Sequence, residues 1–127
     1  MSEFSPPYST AHLNGDILVL TPLVTELRDS GLCYEMRDEM INATQGMPHK
    51  RVVIDMRNVD FVSSIGVLVF LNLRRAAPPQ ETKIVFCNLT ENLKGMFQIC
   101  KLISETDEPA TPFEAVDTLE SALAATS

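Results

Sequence analysis

The chain has 127 residues with a formal net charge of −7 and a sequence pI near 4.7. That balance excludes the basic stripe that nucleic-acid binding needs and argues against docking on an anionic membrane. With 45% hydrophobic residues, no Trp and two Tyr, the chain can bury an aliphatic core large enough to need no metal or disulfide staple.

Met1 to Ser9 is polar and contains Pro6-Pro7, which predicts a flexible N-terminal arm over residues 1–9 and a single domain over residues 10–127. Asn14-Gly15-Asp16 is a tight-turn signal between two extended runs, so the first two strands should form a hairpin. The second strand is Ile17 to Val24. Leu32 to Ala43 has helical spacing, with Leu32, Met36, Met40 and Ala43 on one face, a cap at Asp29 or Ser30, and a stop at Gly46 and Pro48.

Lys50 to Met56 is a strand whose unbroken Val52-Val53-Ile54 run suits a central position or one covered on both faces. A helix should start at Ser63-Ser64 and run to about Ala77, ended by Pro78-Pro79. Thr82 to Leu89 is a further central strand, and Thr90 to Leu102 a helix capped by Thr90 with Leu93, Met96, Phe97 and Cys100 on its apolar face. A short last strand at "TPFEAV" precedes a helix with a capping box from Asp117 to Glu120. The order β-β-α-β-α-β-α-β-α implies an α/β fold: a small mixed sheet, largely parallel after its hairpin, with helices on one face.

Signals of catalysis are weak. His12 and His49 lie far apart without partners at metal spacing, and neither GxGxxG, GxxxxGK[ST] nor GxSxG occurs. The residues therefore predict no enzyme, no cofactor and no metal. Asp55 could orient a base, but its plainer role is to accept backbone N–H groups from the following loop. Cys33, Cys87 and Cys100, far apart in the chain, suit buried free thiols in a reducing compartment. No signal peptide opens the chain and no apolar run could span a membrane, so a cytoplasmic protein is expected.

The run "VVIDMRNVDFVSSIGVLVFL" resembles the signature of STAS domains, the module of anti-anti-sigma factors and of sulfate transporter tails. The flanks "GDILVLTPL", "TKIVFCNLTENLKGMFQICKL" and "FEAVDTLESALA" are similar to the corresponding family segments. The resemblance implies a non-enzymatic module that binds a protein partner, a kinase-type anti-sigma factor, as an anti-sigma factor antagonist. An accessory subunit of a scaffold or transporter complex is the alternative. Charge and hydropathy predict no nucleic acid and no membrane insertion, and a homodimer is left open.

Aligned on Gly66, Ile65 falls on the family's phosphorylated position, so the resemblance implies a surface without the usual phosphorylation switch. Ser64 and Ser63 remain the phosphorylation candidates, against the simpler role of a helix cap. The implied partner surface comprises Asp60, Phe61, Ser63, Ser64, Ile65, Gly66 and Val69, with Thr25 and Asp29 from the segment Thr25 to Leu32. The apolar excess of the helix after Ser64 leaves two readings: flanks covered by neighbours, or an exposed contact patch.

Overall fold

The turn at Asn14-Gly15-Asp16 forms as its residues dictate. Gly15 takes a positive φ of 64°, the conformation that a two-residue hairpin loop requires and that glycine adopts at least cost. It joins β1 (Ser9–Asn14) to β2 (Ile17–Pro22) in antiparallel register. The computed structural model describes residues 7–76, 84–103 and 113–126. The expected helix stop at Pro78-Pro79 and the first residues of the strands expected from Thr82 and Thr111 lie outside them.

The chain continues through a two-residue strand β3 (Glu26–Leu27) into α1 (Ser30–Gly46), then β4 (Arg51–Asp55), β5 (Phe61–Val62), α2 (Ser64–Ala76) and β6 (Ile84–Cys87). It closes with α3 (Glu91–Ile99), β7 (Phe113–Val116) and α4 (Leu119–Thr126). The main sheet has the order β1-β2-β4-β6-β7, and every pairing after the hairpin is parallel. The short strands β3 and β5 pair in parallel apart from it.

Alternation along the strands divides the interior in two. Leu18, Leu20, Val52, Ile54, Ile84 and Phe86 point to a core shared with α1, α2 and α3. Phe86 is the hub of this core: its ring centroid lies 5.2 Å from Phe70, 5.1 Å from Phe97 and 5.0 Å from Phe113. Ile17, Val19, Val53, Val85 and Cys87 point the other way, to a smaller core with Ala122 of α4.

The mixed α/β sheet stands as expected, but its helices do not all share one face: α4 packs on the reverse side, against β4, β6 and β7. The continuous apolar runs of β4 and β6 require this, because their second set of side chains would otherwise face water.

Several ends differ from the sequence expectation. The arm does not extend to residue 9: Tyr8 is 7% exposed, its C=O accepts from Leu23 N at 2.8 Å, and its N–H meets the Glu39 carboxylate at 2.9 Å. Helix α3 ends at Ile99, where Lys101 enters the left-handed region (φ 60°) and Leu102 N–H returns to Phe97 O at 2.9 Å. Cys100 thus closes the helix on the surface, exposed rather than buried, while Cys33 and Cys87 are buried. Helix α4 is capped by Thr118, whose Oγ1 accepts from Ser121 N at 3.0 Å, in place of the expected Asp117 box.

Phe86→Ala should cost about 3–5 kcal/mol, because it empties the centre of a four-ring cluster at full burial. Urea unfolding followed by circular dichroism measures it, and a loss under about 1 kcal/mol would show that Phe86 is not the hub.

Candidate functional site

Two segments separated by more than thirty residues meet beside α2. Asp60 N–H donates to Thr25 O at 2.7 Å, and Phe61 N–H to the same oxygen at 3.3 Å. Two residues on, Leu27 O accepts from Ser63 N–H at 2.9 Å and from Ser63 Oγ at 2.8 Å. Parallel pairing of Glu26 with Phe61 and Leu27 with Val62 completes the joint. The fold thus sets the segments Thr25–Leu32 and Asp60–Ser64 side by side.

Gly66 lets the joint close. A Cβ at this position would lie 2.7 Å from Val62 Cγ1 and 3.0 Å from both Leu27 Cβ and Leu27 O, closer than side-chain carbons approach. Gly66 and Val69 are therefore buried, and neither belongs to the contact surface expected for them. Ile65 is half-buried and packs against the main core.

The serines divide the work of the helix start. Ser63 precedes α2: its carbonyl accepts from Val67 N at 3.0 Å and its Oγ from Gly66 N at 3.4 Å, while its hydroxyl proton goes to Leu27. Ser64 is exposed in the first turn of α2, and its hydroxyl has no hydrogen-bond partner among the described residues. Asp29 is committed to α1, where its Oδ2 accepts from Leu32 N at 2.8 Å.

Around this joint the surface carries Phe61 at 40% exposure and Leu68, one helical turn beyond Ser64, at 44%. Arg28 sets its guanidinium 4.5 Å from the Phe61 ring centroid and pairs with Glu26 at 3.2 Å. Sequence reasoning missed Arg28. Its stacking partner lies 33 positions away, and only its place within Thr25 to Leu32 hinted at a role. The apolar excess of α2 resolves mostly into covered flanks, with Leu68 the large side chain left outside.

A second concavity, about 740 Å³, opens at the C-terminal ends of β4, β6 and β7, lined by Arg57, Asn88, Thr90, Asp117, Thr118 and Glu120 among others. Beneath it Asp55 is buried and accepts from Arg57 N at 3.1 Å, from Arg57 Nε at 2.7 Å and from Asn88 Nδ2 at 2.9 Å. This is the loop-holding role that the sequence favours for it. Burial acts to raise the Asp55 pKa, but the hydrogen bonds from Arg57 and Asn88 outweigh it and hold the carboxyl below its ordinary 3.8. Burial, with the Asp55 charge adding to it, pushes the neighbouring Cys87 thiol up to about 12, so it stays protonated at neutral pH. Among the described residues no group of three His, Cys, Asp or Glu is placed to hold a metal ion, and no helix is long and apolar enough to cross a membrane.

A family model described as the STAS domain matches residues 16–121. The chain belongs to the STAS domain family. Solved structures with the same fold include an anti-sigma-factor antagonist (STAS) domain protein from Planctomyces limnophilus, at TM-score 0.75 and 17% identity over 94% of this chain and 97% of that one. An anti-sigma factor antagonist from Mycobacterium paratuberculosis gives TM-score 0.75 and 17% identity over 97% and 98%. The Bacillus cell fate determinant SpoIIAA in its phosphorylated form gives 0.64 and 17% over 94% and 99%. No curated protein matches the sequence.

In this STAS domain Gly66→Ala should cost about 1–3 kcal/mol, because Val62 and the backbone of Leu27 must move to admit the methyl. A thermal melt unchanged from the parent would refute the close approach. Asp55→Asn should cost about 1–2 kcal/mol at pH 7. Since the folded pKa is lowered, the Asp55 contribution is full well above pH 3.8 and is lost as pH falls through the folded value. The variant's deficit should therefore shrink on acidification, which urea unfolding at pH 7 and in the acid range would reveal. A deficit independent of pH would contradict the charge-based account.

Proposed function

We propose that this STAS domain acts as an anti-sigma factor antagonist, binding a kinase-type anti-sigma factor through the joint of β3, β5 and the first turn of α2. The observation that carries this reading is the composite surface itself: Phe61 and Leu68 exposed beside Ser64, with Asp60 and Arg28 at its edge. Half-exposed aromatic and aliphatic side chains on a hydrogen-bonded joint suit a partner interface, where a few such anchors dominate affinity. Antagonists are named among proteins of the same fold, and the family match covers this surface.

The binding surface works without a phosphorylation switch at the second helical position. Ile65 has no hydroxyl and its side chain is packed against the core. The Ser63 hydroxyl is already engaged by Leu27. Ser64 offers the free hydroxyl, but it sits roughly 100° around the helix from Ile65. A phosphate there would bring nearly two negative charges beside exposed Asp60. Binding is then set by abundance or by a further subunit. The same Ile65 also fits the accessory-subunit role in a scaffold or transporter complex.

Titration calorimetry against kinase-type anti-sigma factors from the same genome tests the reading. Phe61→Ala and Leu68→Ala should each weaken binding about 10-fold or more while leaving the melting temperature nearly unchanged. Failure of every such factor to bind would sink this reading in favour of the accessory role. Incubation with the binding factor and ATP should leave the protein unphosphorylated by mass spectrometry. Stoichiometric phosphate on Ser64, with binding lost in Ser64→Asp, would show that the switch is intact.

A further inference from the structure

Among the described residues, β1 forms an edge of the main sheet whose outward backbone groups have no paired strand and are arranged with internal symmetry. A two-residue hairpin loop closes on a pair that exchanges both backbone hydrogen bonds, here Asn14 with Ile17. Alternate residues Asn14, His12 and Thr10 therefore turn their N–H and C=O toward β2. Tyr8 continues the alternation, since its C=O accepts from Leu23 N. Pro22, opposite Ser9, has no N–H to offer. Ser9, Ala11 and Leu13 thus direct their backbone groups outward, away from the sheet.

Edge strands are ordinarily protected by lysine, proline or inward-pointing charge. Ser9–Asn14 has none in its own sequence, STAHLN; the charge beside it is the Glu39 carboxylate of α1, which accepts from Ser9 Oγ at 2.8 Å and from Tyr8 N at 2.9 Å and is thereby hydrogen-bonded within the protomer. The outward residues lie on the face of the sheet that α1 covers, because Ala11 stands opposite Leu20 and Leu13 opposite Leu18. On that face a pocket of about 340 Å³ opens between β1 and α1, lined by Ala11, Leu20, Met40 and Ala43, with Ser9 and Glu39 hydrogen-bonded to each other at its rim. Leu13, on the same strand, is 38% exposed.

We propose that β1 pairs antiparallel with β1 of a second copy of this chain, about a two-fold axis at Ala11, placing each Leu13 at the other copy's pocket between β1 and α1. Directly opposite residues of an antiparallel pair share a face, so a two-fold axis must pair residues whose numbers differ by an even count. Centred on Ala11, the register sets Ala11 against Ala11 and Ser9 against Leu13. All three outward residues of each copy are then matched with outward residues, giving six backbone hydrogen bonds from Ser9, Ala11 and Leu13 of the two strands. Centring on His12 instead would set inward-bonded residues against each other at the axis. The small Ala11 side chain lets the strands meet there, and Pro7 ends the ladder because it lacks an N–H.

The pairing leaves the joint of β3, β5 and α2 outside the contact, so it is independent of the partner reading. It sets two α1 helices on the same face, each bearing exposed Glu35 and Asp38 and, at the pocket itself, Glu39, so added salt should strengthen the dimer.

Sedimentation velocity from about 5 to about 200 µM tests this, in the range where a small interface associates. The expected result is a species of twice 14.1 kDa, growing with concentration and with salt. Leu13→Lys and Ala11→Pro should each weaken the dimer at least about 10-fold. Ala11→Pro breaks no bond within the protomer, because the Ala11 N–H points outward, and circular dichroism should show both variants folded. A wild type that is monomeric throughout overturns the proposal. So does a dimer that survives either substitution in a folded variant.

Discussion

Leu27 O is the acceptor on which the candidate site depends. It takes two hydrogen bonds from Ser63, one from the backbone and one from the hydroxyl. A buried carbonyl satisfied in this way fixes the distance between the chain after β2 and the start of α2. Gly66 makes the approach sterically open, and Val62 and Leu27 fill the space that its missing Cβ leaves. Without the joint, Phe61 would have neither the Thr25 carbonyl on its backbone nor Arg28 over its ring.

The same joint explains why the two serines at the start of α2 are not equivalent. Ser63 is consumed by structure, since its hydroxyl closes the joint while its oxygen caps the helix. Ile65 contributes to the core that holds α2 down. Only Ser64, pointing to solvent, is chemically free, and it lies between Asp60 and Leu68 on the proposed partner surface.

The two ends of the sheet serve separate purposes. At the C-terminal ends of β4 and β6, Asp55 ties Arg57 and Asn88 into a network that keeps the crossing loops in place. Asn88 adopts a left-handed φ of 59° there, a conformation that asparagine tolerates better than most residues. At the lateral edge of the sheet, β1 turns the backbone groups of Ser9, Ala11 and Leu13 away from β2.

By itself the sequence determined whatever follows from local pattern. The hairpin follows from Asn14-Gly15-Asp16, the helix starts from Asp29 and Thr90, and the core from strands with apolar runs. The motif around Ser63-Ser64 was enough to place the chain among STAS domains, because the order and spacing of its elements survive when identity is low. Tertiary structure decided what depends on contacts across the chain. The burial of Gly66 and Val69 reflects how closely α2 approaches Leu27, which no helical periodicity encodes. The placement of α4 on the reverse face, the exposure of Cys100 and the stacking of Arg28 on Phe61 have the same origin. Each depends on the distance between segments far apart in sequence, and periodicity fixes only which residues share a side.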